Sequence, residues 1–257
     1  MKKLICFVIV SMMIFSMAAC GKKEENKLVV GLDDTFTPMG FRDDKNNIVG
    51  FDIDLAKAVC EKLNMKFEAQ PISWEAKVNE LNTKNVDCIW NGLSVTPENQ
   101  EKMTLSPSYM KNDIALVVKK DSKIETSADM AGKKLALQSG SAAQQLLDSE
   151  DNKALKDSLG KINPFDTYNT ALLDLDSANS DAVLMDSIVA NYAITEGGKD
   201  YKVLADSLLE DNYAIGFRKG NQELCDKVWN ALKELKEEGK VAEISKKWFG
   251  TDVTTIQ

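Results

Sequence analysis

Asp33, Asn91, Gln138 and Asp186 share one property: each comes just after a stretch that reads as a β-strand. Carboxylates and amides in such places can pair with an ammonium group or orient a small polar molecule. The run W-N-G-L-S-V-T-P-E-N-Q (90–100) is the densest of these places. It joins a buried strand, with Val86, Cys88 and Trp90 expected on one face, to a helix starting at Thr96 and Pro97. Thr is a good N-cap and Pro suits the first helical position. Asn91, Gly92 and Ser94 lie between, where backbone groups and short polar side chains can face a cleft. Ser141 opens another helix with S-A-A-Q, a capping-box pattern, and a helix N-terminus there is a ready anion site.

The chain has no histidine. That excludes Ser-His-Asp and Cys-His nucleophile systems, histidine metal sites and the commonest general base near neutral pH. Carboxylates can still do acid–base work, but no catalytic residue, metal ligand or cofactor is expected. Cys60, Cys88 and Cys225 fit no zinc or redox spacing. They read as buried free thiols, with one disulfide left open.

The elements that position these residues alternate. Lys27 to Gly31 reads as a strand leading into an unusually apolar loop with Phe36, Met39 and Phe41. Phe51, Leu55, Val59 and Leu63 recur every four residues, a helix with one buried face. Met65 to Ala69 is a strand, Trp74 to Leu81 a helix with Trp74, Val78 and Leu81 inward, and Val86 to Trp90 a strand. After a strand at Ile114 to Val118 the alternation restarts: strand 135–137, helix 141–147, helix 169–175, strand 181–184, helix 188–194, strand 201–204. Tyr213 to Phe217 is a further strand, and two helices finish the chain. Such alternation implies an α/β fold with a mixed, mostly parallel sheet in each of two lobes. The strands near 114–118 and 213–217 join the lobes as two hinge strands. The expected division is 27–113 for the first part of lobe 1, 114–212 for lobe 2, and 213–257 for the return to lobe 1. Ligands in such sheets sit at the carboxyl ends of strands, where Asp33, Asn91, Gln138 and Asp186 converge.

Residues 1–19 have a basic start and an apolar run too short to span a membrane, followed by M-A-A-C-G at 17–21. This reads as a signal peptide with a lipobox, placing a lipid on Cys20 and leaving 20–26 as a tether. The alternative is an ordinary signal peptide that carries a cysteine. On the lipobox reading, lipid is the only expected hold on the membrane. Without Lys2 and Lys3 the net charge moves from -8 to -10, which argues against nucleic acid or anionic lipid as partners.

The motifs P-M-G-F (38–41), V-G-F-D-I-D-L-A-K-A-V (49–59), W-N-G-L-S-V-T-P-E (90–98), Q-S-G-S (138–141), D-A-V-L-M-D (181–186), G-F-R-K-G (216–220) and I-S-K-K-W-F-G (244–250) occur in this order across nearly the whole chain after the signal segment. Together they resemble the amino-acid-binding proteins of bacterial ABC importers, with the type II periplasmic-binding-protein fold. The resemblance implies Venus-flytrap closure on a small ligand, with a membrane permease and an ATPase as partners and a monomeric binding protein. It implies that an α-amino group meets Asp186, the Gly92 carbonyl and the Ser94 hydroxyl. It implies that an α-carboxylate meets N–H groups at Ser94, Ser141 and Ala142. Asp33, Phe36 and Trp74 match positions lining the side-chain end. From the residues alone, Ser141 and Asp186 can equally be plain helix caps, and Trp74 can be plain core. The G-F-D-I-D-L-A-K run reads as structural, with Asp52 and Asp54 favouring a helix start, and Trp90 reads as packing.

One position departs from the family. Asn99 stands where the family usually has an arginine that forks the ligand carboxylate. Losing that bond would weaken a carboxylate ligand roughly 10- to 200-fold. The expectation is therefore open between an amino acid held by Ser94, Ser141 and N–H dipoles, a ligand without a free carboxylate, and a cation flanked by Phe36 and Trp74. A sensor or adhesive surface lipoprotein, and an enzyme resembling the cyclohexadienyl dehydratases, are the rival readings on the same fold.

Overall fold

The computed structural model describes residues 26–206 and 209–257. The expected signal segment and Cys20 lie outside the described residues.

Lobe 1 begins with β1 (Lys27–Leu32), the short strands β2 (Thr35–Phe36), β3 (Gly40–Arg42) and β4 (Ile48–Val49), and α1 (Phe51–Lys62). It continues with β5 (Lys66–Pro71), a 3-10 turn at Trp74–Ala76, α2 (Lys77–Asn82), β6 (Cys88–Ser94), α3 (Pro97–Lys102) and β7 (Met103–Leu105). The long strand β8 (Met110–Lys119) leads into lobe 2, which holds β9 (Lys134–Gln138), α4 (Ala142–Leu147), α5 (Lys153–Ser158), β10 (Lys161–Phe165), α6 (Tyr168–Asp176), β11 (Ala182–Asp186), α7 (Ser187–Thr195) and β12 (Tyr201–Val203). A second long strand, β13 (Leu209–Arg218), returns to lobe 1, completed by α8 (Gln222–Glu237) and α9 (Lys240–Phe249).

One sheet runs through both lobes in the order β10-β9-β11-β8-β13-β6-β1-β5. In lobe 1, β1 is parallel to β5 and β6; in lobe 2, β9 is parallel to β10 and β11. The two long strands make the join. They pair antiparallel with each other from Met110↔Tyr213 to Ile114↔Leu209. Beyond that stretch, β8 pairs with β11 and β12, and β13 pairs with β6 and β7. Each long strand therefore belongs half to one lobe and half to the other.

Helices cover the sheet because their apolar stripes need burial. Phe51, Leu55, Val59 and Cys60 of α1 share a core with Cys225, Val228 and Leu232 of α8. The terminal helices thus complete lobe 1. Cys60, Cys88 and Cys225 are buried free thiols.

Several expectations change in detail. Val86 precedes β6 and packs with Val29, Trp74 and Ile89, on the side of the sheet away from Cys88 and Trp90. All of β6 is buried, so no alternation marks a wet face. The loop 33–49 folds into the small sheet β2-β3-β4, which seats Phe36 and Met39 in the core. Asp52 and Asp54 lie in the first turn of α1, as expected, and each also has a tertiary role. Asp54 accepts from Lys247 and Trp248 of α9, while Asp52 turns into the core.

Candidate functional site

Strand β6 is irregular where it meets the cleft. Its register with β13 runs Ile89↔Gly216 and then Leu93↔Ala214, so Trp90, Asn91 and Gly92 together stand opposite Ile215. This bulge bends the strand and re-aims its backbone groups. Gly92 takes a left-handed φ of 61°, which a glycine adopts without steric cost. A Cβ there would lie 2.6 Å from Phe36 Cε1. The Gly92 N–H donates to Asp52 Oδ2 at 2.8 Å, and the same oxygen accepts from Tyr109 Oη at 2.8 Å. Burial raises the Asp52 carboxyl to about 7. Trp90 is fully buried and meets Tyr109 edge-on, a packing role.

A cavity between the lobes, with about 330 Å³ of empty space, is lined by Asp33, Phe36, Trp74, Asn91, Gly92, Ser94, Asn99, Gln138, Ser141, Ala142 and Asp186. Every expected pocket residue within the described chain is therefore in one place. Lys77, Leu93, Gly140 and Tyr168 complete the lining and were not anticipated.

At one end, Asp186 sits at the start of α7 but makes no capping hydrogen bond. Its Oδ1 accepts instead from Asn112 Nδ2 and Tyr213 Oη, each at 2.7 Å. Asn112 Nδ2 also donates to Asp211 Oδ2 at 3.0 Å, and Ser94 Oγ donates to that oxygen at 2.6 Å. Burial and the neighbouring Asp211 charge raise the Asp186 carboxyl to about 7, and burial raises Asp211 as well. With its proton committed to Asp211, the Ser94 hydroxyl presents lone pairs to the cavity. The hydroxyl of Tyr168 is buried without a hydrogen-bond partner. This end is rich in acceptors, the pattern that suits an ammonium group.

At the other end, Asp33 Oδ1 accepts from the N–H and hydroxyl of Thr35, and Oδ2 accepts from Gln138 Nε2 at 2.7 Å. Asn91 Oδ1 accepts from the Asp33 N–H. Ser141 is both a cap and a lining residue: its Oγ accepts from Gln144 N and donates to Gln138 O. The expected capping box is displaced by one residue, since Gln144 Oε1 accepts from Gly140 N. Helix α4 has 6 residues, so its N–H groups matter as individual donors more than through a summed dipole.

Asn99 donates from its backbone N–H to Thr96 Oγ1, the expected cap, and from Nδ2 to the Ser94 carbonyl at 2.9 Å. Lys77 lies on the inward side of α2 and is 4 % exposed. It was hidden in the sequence because a lysine reads as solvated. Its spacing from Trp74 and Leu81, three and four residues, does place it on their stripe.

The lobes are closed on each other. Gln138–Asp33 is a bond between lobes, as is Lys77 Nζ to the Gly140 carbonyl at 2.7 Å. The rings of Phe36 and Tyr168 meet across the seam at 5.9 Å.

The comparisons with known proteins agree with this geometry. The family model for bacterial extracellular solute-binding proteins, family 3, matches residues 28–251. The chain is 31% identical to an arginine-binding extracellular protein of Bacillus subtilis over 97% of this chain and 98% of that one. It is 28% identical to an L-cystine-binding protein of Escherichia coli over 90% of this chain and 86% of that one. A solved substrate-binding protein of an ABC uptake transporter from Streptococcus pneumoniae, crystallised with bound histidine, superposes with a TM-score of 0.86 at 41% identity, covering 90% of this chain and 95% of that one. A two-lobed α/β fold closed over a small polar cavity, and a match of this extent, lead to one conclusion: this chain belongs to the bacterial extracellular solute-binding proteins of family 3, and its role is solute binding outside the cytoplasm.

Proposed function

We propose that this protein captures one free amino acid between its lobes and delivers it to a membrane permease driven by an ATPase. The observation that carries the reading is the acceptor cluster of Asp186, Ser94 and the Gly92 segment, brought together on one cavity between the lobes. Asp186 is free of any capping bond, so its buried carboxyl is available to an ammonium group. Asp33 and Gln138 face the far end and favour a side chain able to hydrogen-bond. Relatives named for arginine and cystine, and the histidine-bound structure, fall in that class. The strands crossing at 110–114 and 209–213 serve as the hinge, with lobe boundaries at 113/114 and 212/213. We read the chain as a monomer held to the membrane by lipid on Cys20, after removal of residues 1–19.

Binding rather than catalysis fits the carboxyl groups of the site. Asp33 is held by Thr35 and Gln138, and Asp186 by Asn112 and Tyr213, an arrangement that holds each carboxyl in place to pair with a ligand. A thermal-shift panel of the twenty amino acids, with amides, short peptides and quaternary amines, tests the reading. A ligand at 100 times its Kd adds about 2.7 kcal/mol of stability. A clear shift with an amino acid is the expected result, and no shift with any of them would sink the reading.

A further inference from the structure

Family resemblance puts an arginine at position 99, and this chain has Asn99. The neutral amide cannot supply the missing charge, and its Nδ2 is already held by the Ser94 carbonyl. A buried cation is nevertheless present on the same wall. Lys77 lines the cavity together with Asn99, Ser94, Gly140 and Ser141, and it reaches there from α2, the element next to the departure.

The surroundings of Lys77 are unusual for a lysine. It is 4 % exposed, and both of its hydrogen bonds go to carbonyls, Gly140 O at 2.7 Å and Trp74 O at 3.3 Å. Among the described residues it forms no ion pair. The charges around it are those of Glu75, Glu98 and Lys102, and the Trp74 ring lies 5.2 Å from its Nζ. An ammonium group has three donors, so one N–H remains beyond the two carbonyls. Burying an unpaired cation is costly, and burial depresses this one to about 8. An anion entering the cavity would relieve that cost.

We propose that Lys77 is the cationic subsite for the ligand's carboxylate, taking the part that position 99 plays in the family. Resting on the amino-acid reading above, it explains how a chain with Asn99 still binds an α-carboxylate. It also ties ligand to closure, because the same ammonium holds the Gly140 carbonyl of the other lobe. A lysine acts as a point charge where arginine forks both oxygens, so the carboxylate orientation is left to Ser141 and Ala142.

The experiment is calorimetric titration with the twenty L-amino acids and their α-carboxamides, on the unaltered protein and on Lys77→Met. The expected result is a roughly 10- to 200-fold loss for the acid in the variant. The preference for acid over amide should collapse by the same factor. Asn99→Arg on the Lys77→Met background should recover part of that preference. An unchanged acid-over-amide preference in Lys77→Met, with or without a general loss of affinity, overturns the proposal and leaves Lys77 as a latch between lobes. Failure of every amino acid to bind the unaltered protein overturns the amino-acid reading itself, a separate outcome. Should Lys77→Met not fold, lysine NMR on the unaltered protein decides. Saturation with the acid should move the Lys77 titration from about 8 to roughly 9–10, and no movement overturns the proposal.

Discussion

Asp186 and Asp211 share a single donor: Asn112 Nδ2 lies 2.7 Å from Asp186 Oδ1 and 3.0 Å from Asp211 Oδ2. Asn112 and Asp211 come from the two hinge strands, β8 and β13, and Asp186 ends β11 in lobe 2. The acceptor end of the cavity is therefore built directly on the hinge. An amide between two carboxyl groups satisfies an oxygen of each without neutralising either, and the cavity stays attractive to a cation.

The first prediction concerns pH and affinity. Burial and Asp211 hold the Asp186 carboxyl at about 7 in the empty cavity. An ammonium ligand prefers the ionised form, so binding must release this proton below that pH. Affinity should fall as pH drops from 7 to 5, by at most about tenfold per pH unit for one proton. Asp186→Asn should bind far more weakly and lose that dependence. Titrations at three pH values check both.

Asp52 carries a prediction on stability. Its folded value of about 7 lies above the ordinary 3.8. A carboxyl raised on folding contributes stability fully at pH below 4, and that contribution is lost as pH rises through 7. The ligand-free protein should gain from this group at mildly acid pH relative to pH 8, and Asp52→Asn should remove that share. Asp52→Ala should cost about 1–3 kcal/mol for each donor it orphans, Gly92 N–H and Tyr109 Oη. Denaturant melts across pH measure these effects.

Gly92→Ala should destabilise by about 1–3 kcal/mol from the left-handed backbone alone, with more from the clash with Phe36. Gly132→Ala is the control. Gly132 has a similar φ of 71° and nothing within 4 Å of an added Cβ. Its smaller loss isolates backbone strain from contact. Ligand affinity should drop only in Gly92→Ala.

Gln138→Ala removes a bond between the lobes to the Asp33 carboxylate. Such a bond to a carboxyl group contributes about 1.5 kcal/mol, so the closed-to-open ratio should fall roughly tenfold. Small-angle scattering of the ligand-free variant should show a larger radius of gyration than the parent. Saturating ligand should reduce the difference.

Much of the site was legible because strand ends are legible. Alternating strands and helices set the chain order, and in such a sheet the residue after a strand faces the cleft, which found Asp33, Asn91, Gln138 and Asp186. Ser94 and Ser141 followed from the strand-to-helix turns they occupy. Gly92 came from the same segment as Asn91 and Ser94, while the family resemblance added Phe36, Trp74 and Ala142 and made Asn99 conspicuous.

What escaped has a physical reason in each case. Lys77 was passed over because the expectation for a lysine is solvent, whereas its ammonium meets a carbonyl of each lobe, Trp74 and Gly140. Tyr168 lies just before the helix expected at 169–175, and the approach of α6 to Phe36 brings its ring to the cavity. Asn112 and Asp211 lie on the extensions of β8 and β13 beyond the strands expected at 114–118 and 213–217, and their partnership with Tyr213 depends on the register Met110↔Tyr213, which side-chain patterns do not set when both faces are buried.

The sequence by itself determined the fold class, the two-lobed path of the chain and most of the residues that line the cavity between the lobes, because periodicity and strand ends are local properties. Only the tertiary structure decided what those residues do to one another. It showed that Asp186 is not a cap, that Asp52 holds Gly92 from behind, and that Lys77 is a buried cation on the same cavity wall as Asn99. Those are facts of burial and distance between segments far apart in the chain, which no local pattern encodes.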